Sequence, residues 1–306
     1  MADEQFGPTG VDPIGAPPPA PEPRMWNLGD VLLITMMFII PVVVLGMFFG
    51  NRPIAMLFVQ ALGYAISLLC ARVIISLKTG KGFFESIEWN YPGAARLPQL
   101  LLLGLLVSAA VLFFTTIALP IPPKLPVEKL FSTRVSAIVT MAFATVVAPI
   151  AEEIYFRGIF FGAVRSALEE EHSRRALGLL MLILSAGFFF IAWRGNGSSF
   201  ALFAPVLLGV GLLLFPFRAD RAPLLDEERR SLIALIVTAT YFALVHGAQL
   251  AHSWGPLLGM FVAGIVFTIV RVRLRSVAAS WLVHTGYNGT IFLVSWVQTS
   301  GFHKLG

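Results

Sequence analysis

Residues 135–157 read VSAIVTMAFATVVAPIAEEIYFR. The run 135–150 is almost wholly apolar, and then Glu152, Glu153 and Arg157 arrive together without a turn signal between them. Only helices and closed barrels satisfy their backbone polar groups in hydrocarbon. Barrel strands alternate apolar and polar side chains, and this stretch does not, so it reads as a helix. Glu153 and Arg157 stand at i, i+4, which places them on one face within reach of each other. Pro149 lacks the backbone donor just ahead of the glutamates and is expected to kink or break the helix. Interrupted helices at membrane depth line cavities, so the charges are expected to face one.

The rest of the chain repeats the apolar run. Comparable stretches lie at 31–50, 54–71, 97–120, 176–193, 198–217, 231–245, 254–270 and 277–297, mostly close to the roughly 20 residues a membrane helix needs. Of the 306 residues, 57% are apolar and only 13% charged. A soluble domain carries roughly 25% charge. The composition excludes a soluble globular enzyme, a disordered chain and a coiled coil. The expected fold is all-α, a polytopic transmembrane helix bundle of about 8–9 spans. Residues 1–25 hold a Pro-rich segment that reads as a disordered tail, 26–133 as N-terminal transmembrane helices, and 134–300 as the core that carries the chemistry. Cys70 is the single cysteine, which rules out an intrachain disulfide and a Cys-rich metal site.

The net charge of +5 is explained by loops that orient the chain, with no nucleic acid needed as a partner. Taking nine spans, the loops on the N-terminal side carry fifteen Lys and Arg residues, including Arg165, Arg174 and Arg175 and the cluster Arg271, Arg273 and Arg275. The opposite loops carry six. The positive-inside rule then puts the N-terminus in the cytoplasm of a multi-pass protein, expected in the plasma membrane of a prokaryote. Membrane lipids are the expected surroundings, with anionic headgroups as partners of the Arg271 cluster.

Ionised groups within spans are costly and mark function. Besides Glu152, Glu153 and Arg157, the polar residues at span positions are His246, which ends the run 231–245, and His284 with Asn288. Phe242 and His246 are i, i+4, as are His284 and Asn288. A carboxylate can act as general base on water, and imidazole or amide groups can meet a developing oxyanion. Glu and His side chains are also zinc ligands. Both routes converge on hydrolysis of a carbonyl compound inside the membrane. One conflict stands: span counting sets His246 near the outer side and His284 about two turns from the cytoplasm. The two meet if the helix holding His246 begins near Asp226 in the cytoplasm, or if its end turns back into the membrane.

The elements Glu152-Glu153-Ile154-Tyr155-Phe156-Arg157, Phe242 to His246 and His284 to Asn288 resemble, in order, the EExxxR, FxxxH and HxxxN motifs of the CPBP family. This family comprises the type II CAAX prenyl endopeptidases and related bacteriocin-processing and self-immunity proteases. The resemblance covers roughly residues 134–297. It implies an intramembrane endopeptidase acting on a membrane-anchored protein or peptide. Glu152 would be the general base assisted by His246, Glu153 and Arg157 the supporting pair, and His284 and Asn288 the oxyanion-stabilising pair. A zinc-dependent route, with Glu152, His246 and His284 as ligands, stays open beside direct water activation. From a different class, a transporter or proton-coupled carrier could use the same charged cluster.

Overall fold

The computed structural model describes residues 25–49, 52–118, 125–194, 198–215 and 225–304. The Pro-rich tail expected at the N-terminus lies outside the described residues except for Met25. Each apolar run is a helix: α1 Leu28–Phe49, α2 Pro53–Thr79, α3 Leu97–Ala118, α4 Arg134–Ala167, α5 Glu171–Trp193, α6 Ser198–Leu214, α7 Glu227–Val245, α8 Trp254–Leu274 and α9 Val277–Gln298. The expected all-α polytopic bundle is what forms.

Local chemistry sets the boundaries. Thr133 and Ser136 cap the start of α4 reciprocally, Asp226 accepts from the Arg229 backbone at the start of α7, and Ser276 accepts from Ala279 at the start of α9. Among the described residues, six helices are long and apolar enough to cross a membrane: α1, α2, α4, α5, α8 and the helix at α3. The others fall short for visible reasons. α6 has 17 residues, α7 carries Glu227, Glu228, Arg229 and Arg230 in its first turn, and α9 carries a polar stripe of Ser280, His284 and Asn288.

α4 is the central element, packed by α1, α2, α7 and α9. Pro149 does not break it. The helix instead widens into two π-helical segments, Phe143–Val147 and Ile154–Phe160, one on each side of Glu152 and Glu153. In the first, the Ala148 N–H reaches back to the Phe143 carbonyl. The Ala144 carbonyl therefore loses its α-helical donor, and its π-helical donor would be Pro149, which has no N–H. The wider turn also relieves the clash that a proline ring makes with the carbonyl four residues before it.

The remaining helices pair as α1 with α2, α3 with α9, α5 with α6, and α7 with α8. The α3–α9 crossing needs glycine. A Cβ on Gly104 would stand 2.1 Å from the Val283 carbonyl oxygen, and one on Gly286 would stand 2.3 Å from that of Leu101. No side chain fits at these distances, so the α9 backbone sits directly against α3, while its polar stripe meets α4.

The depth conflict between His246 and His284 is resolved by where the helices begin. α7 starts at Glu227, which pairs with Arg165 at the end of α4. The turn into α9 is set deeper: Arg271, just before it, donates from Nε to the Arg157 carbonyl at 3.0 Å. Arg157 lies roughly two turns inward from Arg165 along α4. An α7 that starts beside Arg165 and a recessed α9 thus deliver both histidines to the Phe242 ring, whose centroid is 4.8 Å from that of His246 and 5.7 Å from that of His284.

Candidate active site

Glu153 is the hub of a fully buried network. Its Oε1 accepts from Arg157 Nη1 at 2.9 Å and from His284 Nδ1 at 2.9 Å, and its Oε2 accepts from the Ser280 hydroxyl at 2.6 Å. Arg157 is equally enclosed. It donates to the Gly264 carbonyl (3.2 Å) and to the Thr268 hydroxyl (3.4 Å), and its guanidinium lies 4.4 Å from the Phe242 ring centre. Both side chains are 0% exposed. A buried ion pair is tolerable only when further hydrogen bonds satisfy both partners, and here they do. Ser280 and Thr268 close the network.

Glu152, the neighbour, has a different environment. Its side chain is 14% exposed and opens into a cavity of about 370 Å³. The cavity wall also includes His246, Tyr155, Tyr241, Gln249, Tyr64, Gln60 and Thr35, with Ile34, Phe38 and Val245 as apolar surface. The hydroxyl of Tyr64 donates to Glu152 Oε1 at 3.1 Å, while Glu152 Oε2 lies 3.9 Å from His284 Nε2. Successive residues on α4 thus divide the work: Glu153 turns into the protein and Glu152 toward the cavity.

The tautomers of both histidines follow from their partners. His284 Nδ1 meets a carboxylate, and His246 Nδ1 meets the Phe242 carbonyl at 2.7 Å. Both partners only accept, so each Nδ1 carries the hydrogen and each Nε2 is left with a lone pair when the ring is neutral. Asn288 donates from Nδ2 to the Ala144 carbonyl at 2.7 Å, the oxygen that Pro149 leaves without a backbone donor.

All six residues singled out in the sequence gather around one centre, in two sets. Glu152 and His246 line the cavity, whereas Glu153, Arg157, His284 and Asn288 stand outside its wall in the supporting layer. The lone-pair Nε2 atoms have the form zinc takes. However, among the described residues no three His, Cys, Asp or Glu side chains come together closely enough to hold a metal, so Glu152, His246 and His284 do not fit as its ligand set.

The sequence reading left several participants unnoticed. Ser280 could have been found, since it extends the His284–Asn288 stripe by one more i, i+4 step. Tyr64, Gln60 and Thr35 lie in ordinary apolar runs and give no signal. Arg271, expected from the sequence to meet lipid headgroups, is 7% exposed, pairs with Glu88 at 2.9 Å and holds the Arg157 carbonyl.

A polytopic helical bundle with one carboxylate turned toward an internal cavity, backed by a buried Glu–Arg–His network, has the frame of an intramembrane hydrolase. The family model described as type II CAAX prenyl endopeptidase Rce1-like matches residues 134–221 and 215–290, together just over half of the chain. The chain belongs to that family, and its class is that of a multi-pass membrane endopeptidase. No curated protein and no solved structure matches it.

Proposed function

We propose that the protein cleaves a peptide bond near the C-terminus of a membrane-anchored, CAAX-type substrate, with water activated by Glu152 and His246. One observation carries the reading. Of the two adjacent glutamates, Glu153 has both oxygens bonded to buried donors, whereas Glu152 lines the cavity that His246 also lines and accepts a single hydrogen bond, from Tyr64.

The chemistry follows from those groups. Glu152 takes a proton from water, and the water oxygen bonds to the scissile carbonyl carbon as the C=O electron pair moves onto oxygen. The lone pair of His246 Nε2 accepts the second hydrogen bond of the water and aims it. Glu152 then passes its proton to the leaving nitrogen, the oxyanion pair re-forms C=O as the C–N bond breaks, and the carboxylate of Glu152 is regenerated. His284 Nε2, beside Glu152 Oε2, is placed to respond to the charge that develops there. No metal takes part in these steps. The apolar part of the wall suits a lipid-like or apolar substrate segment, and its hydroxyl and amide groups suit a peptide backbone. The setting is the plasma membrane of a prokaryote with the N-terminus in the cytoplasm.

The test is cleavage of an internally quenched, prenylated CAAX peptide by purified protein in detergent micelles. Glu152→Gln is expected to lower kcat by about 10²–10⁴-fold, the range of a lost general base. Full activity in Glu152→Gln overturns the assignment of Glu152 as the base.

A further inference from the structure

We infer that Tyr64 is a positioning residue for the catalytic carboxylate, supplied by α2 from outside the family-matched residues. The inference rests on the reading of Glu152 as general base, and it adds a residue that the three motifs do not contain.

The hydrogen-bond direction is fixed by the partners. Gln60 Nε2 can only donate, and it donates to the Tyr64 oxygen at 2.9 Å. The single hydroxyl hydrogen is thereby left for Glu152 Oε1, 3.1 Å away. The Tyr64 ring is held between two others, stacked on Phe38 of α1 at 5.0 Å and on Phe143 of α4 at 6.3 Å. Three helices therefore fix the hydroxyl, and Phe143 opens the π-helical segment that precedes the glutamates.

This bond biases which oxygen of Glu152 reacts. Oε1 already accepts from Tyr64, which makes it the less basic of the two, whereas Oε2 accepts no hydrogen bond from the described residues; Oε2 is also the oxygen nearest His284 Nε2. A carboxylate held at one oxygen presents the other in a single direction, which is the requirement of a preorganised base.

Tyr64→Phe tests this, because it removes the hydroxyl and keeps the ring stack. Cleavage of the prenylated CAAX peptide is expected to lose about 10-fold or more in kcat, in line with a lost hydrogen bond to a charged group, with KM within about twofold. Gln60→Leu, which leaves the Tyr64 hydroxyl in place but unanchored, is expected to show a smaller loss in kcat and no further loss when combined with Tyr64→Phe. Thermal unfolding in detergent reports whether each variant is folded. In the Glu152→Gln background, Tyr64→Phe is expected to have no added effect. Wild-type kcat in both single variants, a change confined to KM, or an undiminished effect of Tyr64→Phe on the Glu152→Gln background overturns the inference alone. Full activity in Glu152→Gln itself overturns the underlying reading, and the inference with it.

Discussion

At the scale of single residues, Glu152 and Glu153 show how identical side chains acquire different work from one helical step. Glu153 accepts three donors in a site closed to solvent, and removing any of its charged partners leaves an uncompensated buried charge. Arg157→Ala is therefore expected to lower stability by about 3–5 kcal/mol, read from unfolding in detergent. Ser280→Ala, which removes one hydrogen bond to the same carboxylate, is expected to cost less, about 1.5–3 kcal/mol. The three motif pairs were legible in the sequence because charge and imidazole are conspicuous in apolar runs. The i, i+4 spacing also placed Glu153 with Arg157 correctly. Which glutamate meets the cavity was legible only through the family resemblance and not from spacing, because it depends on how α4 is rotated against α7, α8 and α9. Tyr64 was silent for a related reason: a tyrosine in an apolar helix looks like packing until a carboxylate from a distant helix is placed beside its hydroxyl.

At the scale of the element, α4 is a helix built around a proline that it does not stop at. The sequence marks Pro149 as a kink or a break; the structure answers with a continuous helix that holds a π-helical segment, and with a side chain from α9. Asn288 supplies to the Ala144 carbonyl the hydrogen that Pro149 lacks. Arg271 serves the second π-helical segment similarly through the Arg157 carbonyl. If this account holds, Asn288 and Pro149 are energetically coupled. Asn288→Ala is expected to destabilise by about 1–3 kcal/mol through the orphaned carbonyl. In a Pro149→Ala background, where a backbone N–H is restored, the same change is expected to cost measurably less in a double-mutant cycle of unfolding free energies. Equal costs in both backgrounds would refute the coupling. Long-range rescue of this kind cannot be seen in a sequence, because spacing within one helix says nothing about which carbonyl a different helix will reach.

At the scale of the whole molecule, the bundle and its nine apolar runs were legible, because lipid as a solvent leaves few alternatives for a chain this apolar. The relative depth of the helices was not. It is set by the charged first turn of α7, which extends that helix outward, and by Arg271, which fixes the turn into α9 inward. Close approach of α3 and α9 was equally hidden. Among the described glycines the tightest contacts are at Gly104 and Gly286. Gly286→Leu is expected to push α9 off α3 and displace His284 and Asn288 together. Loss of both thermal stability and peptide cleavage would be the signature; a folded, fully active variant would contradict it.

The pairing of Glu153 with Arg157 also bears on how the chain is made. The other partners of this pair arrive late: Gly264 follows Arg157 by 107 residues, and Ser280 and His284 follow Glu153 by 127 and 131. While α4 enters the bilayer, those groups have yet to be synthesised. Glu153 and Arg157, one helical turn apart, can neutralise each other from the moment the helix forms. The same ion pair that anchors the finished site thus serves as a provisional counter-charge during biogenesis, carrying α4 across the interval before α8 and α9 exist to receive it.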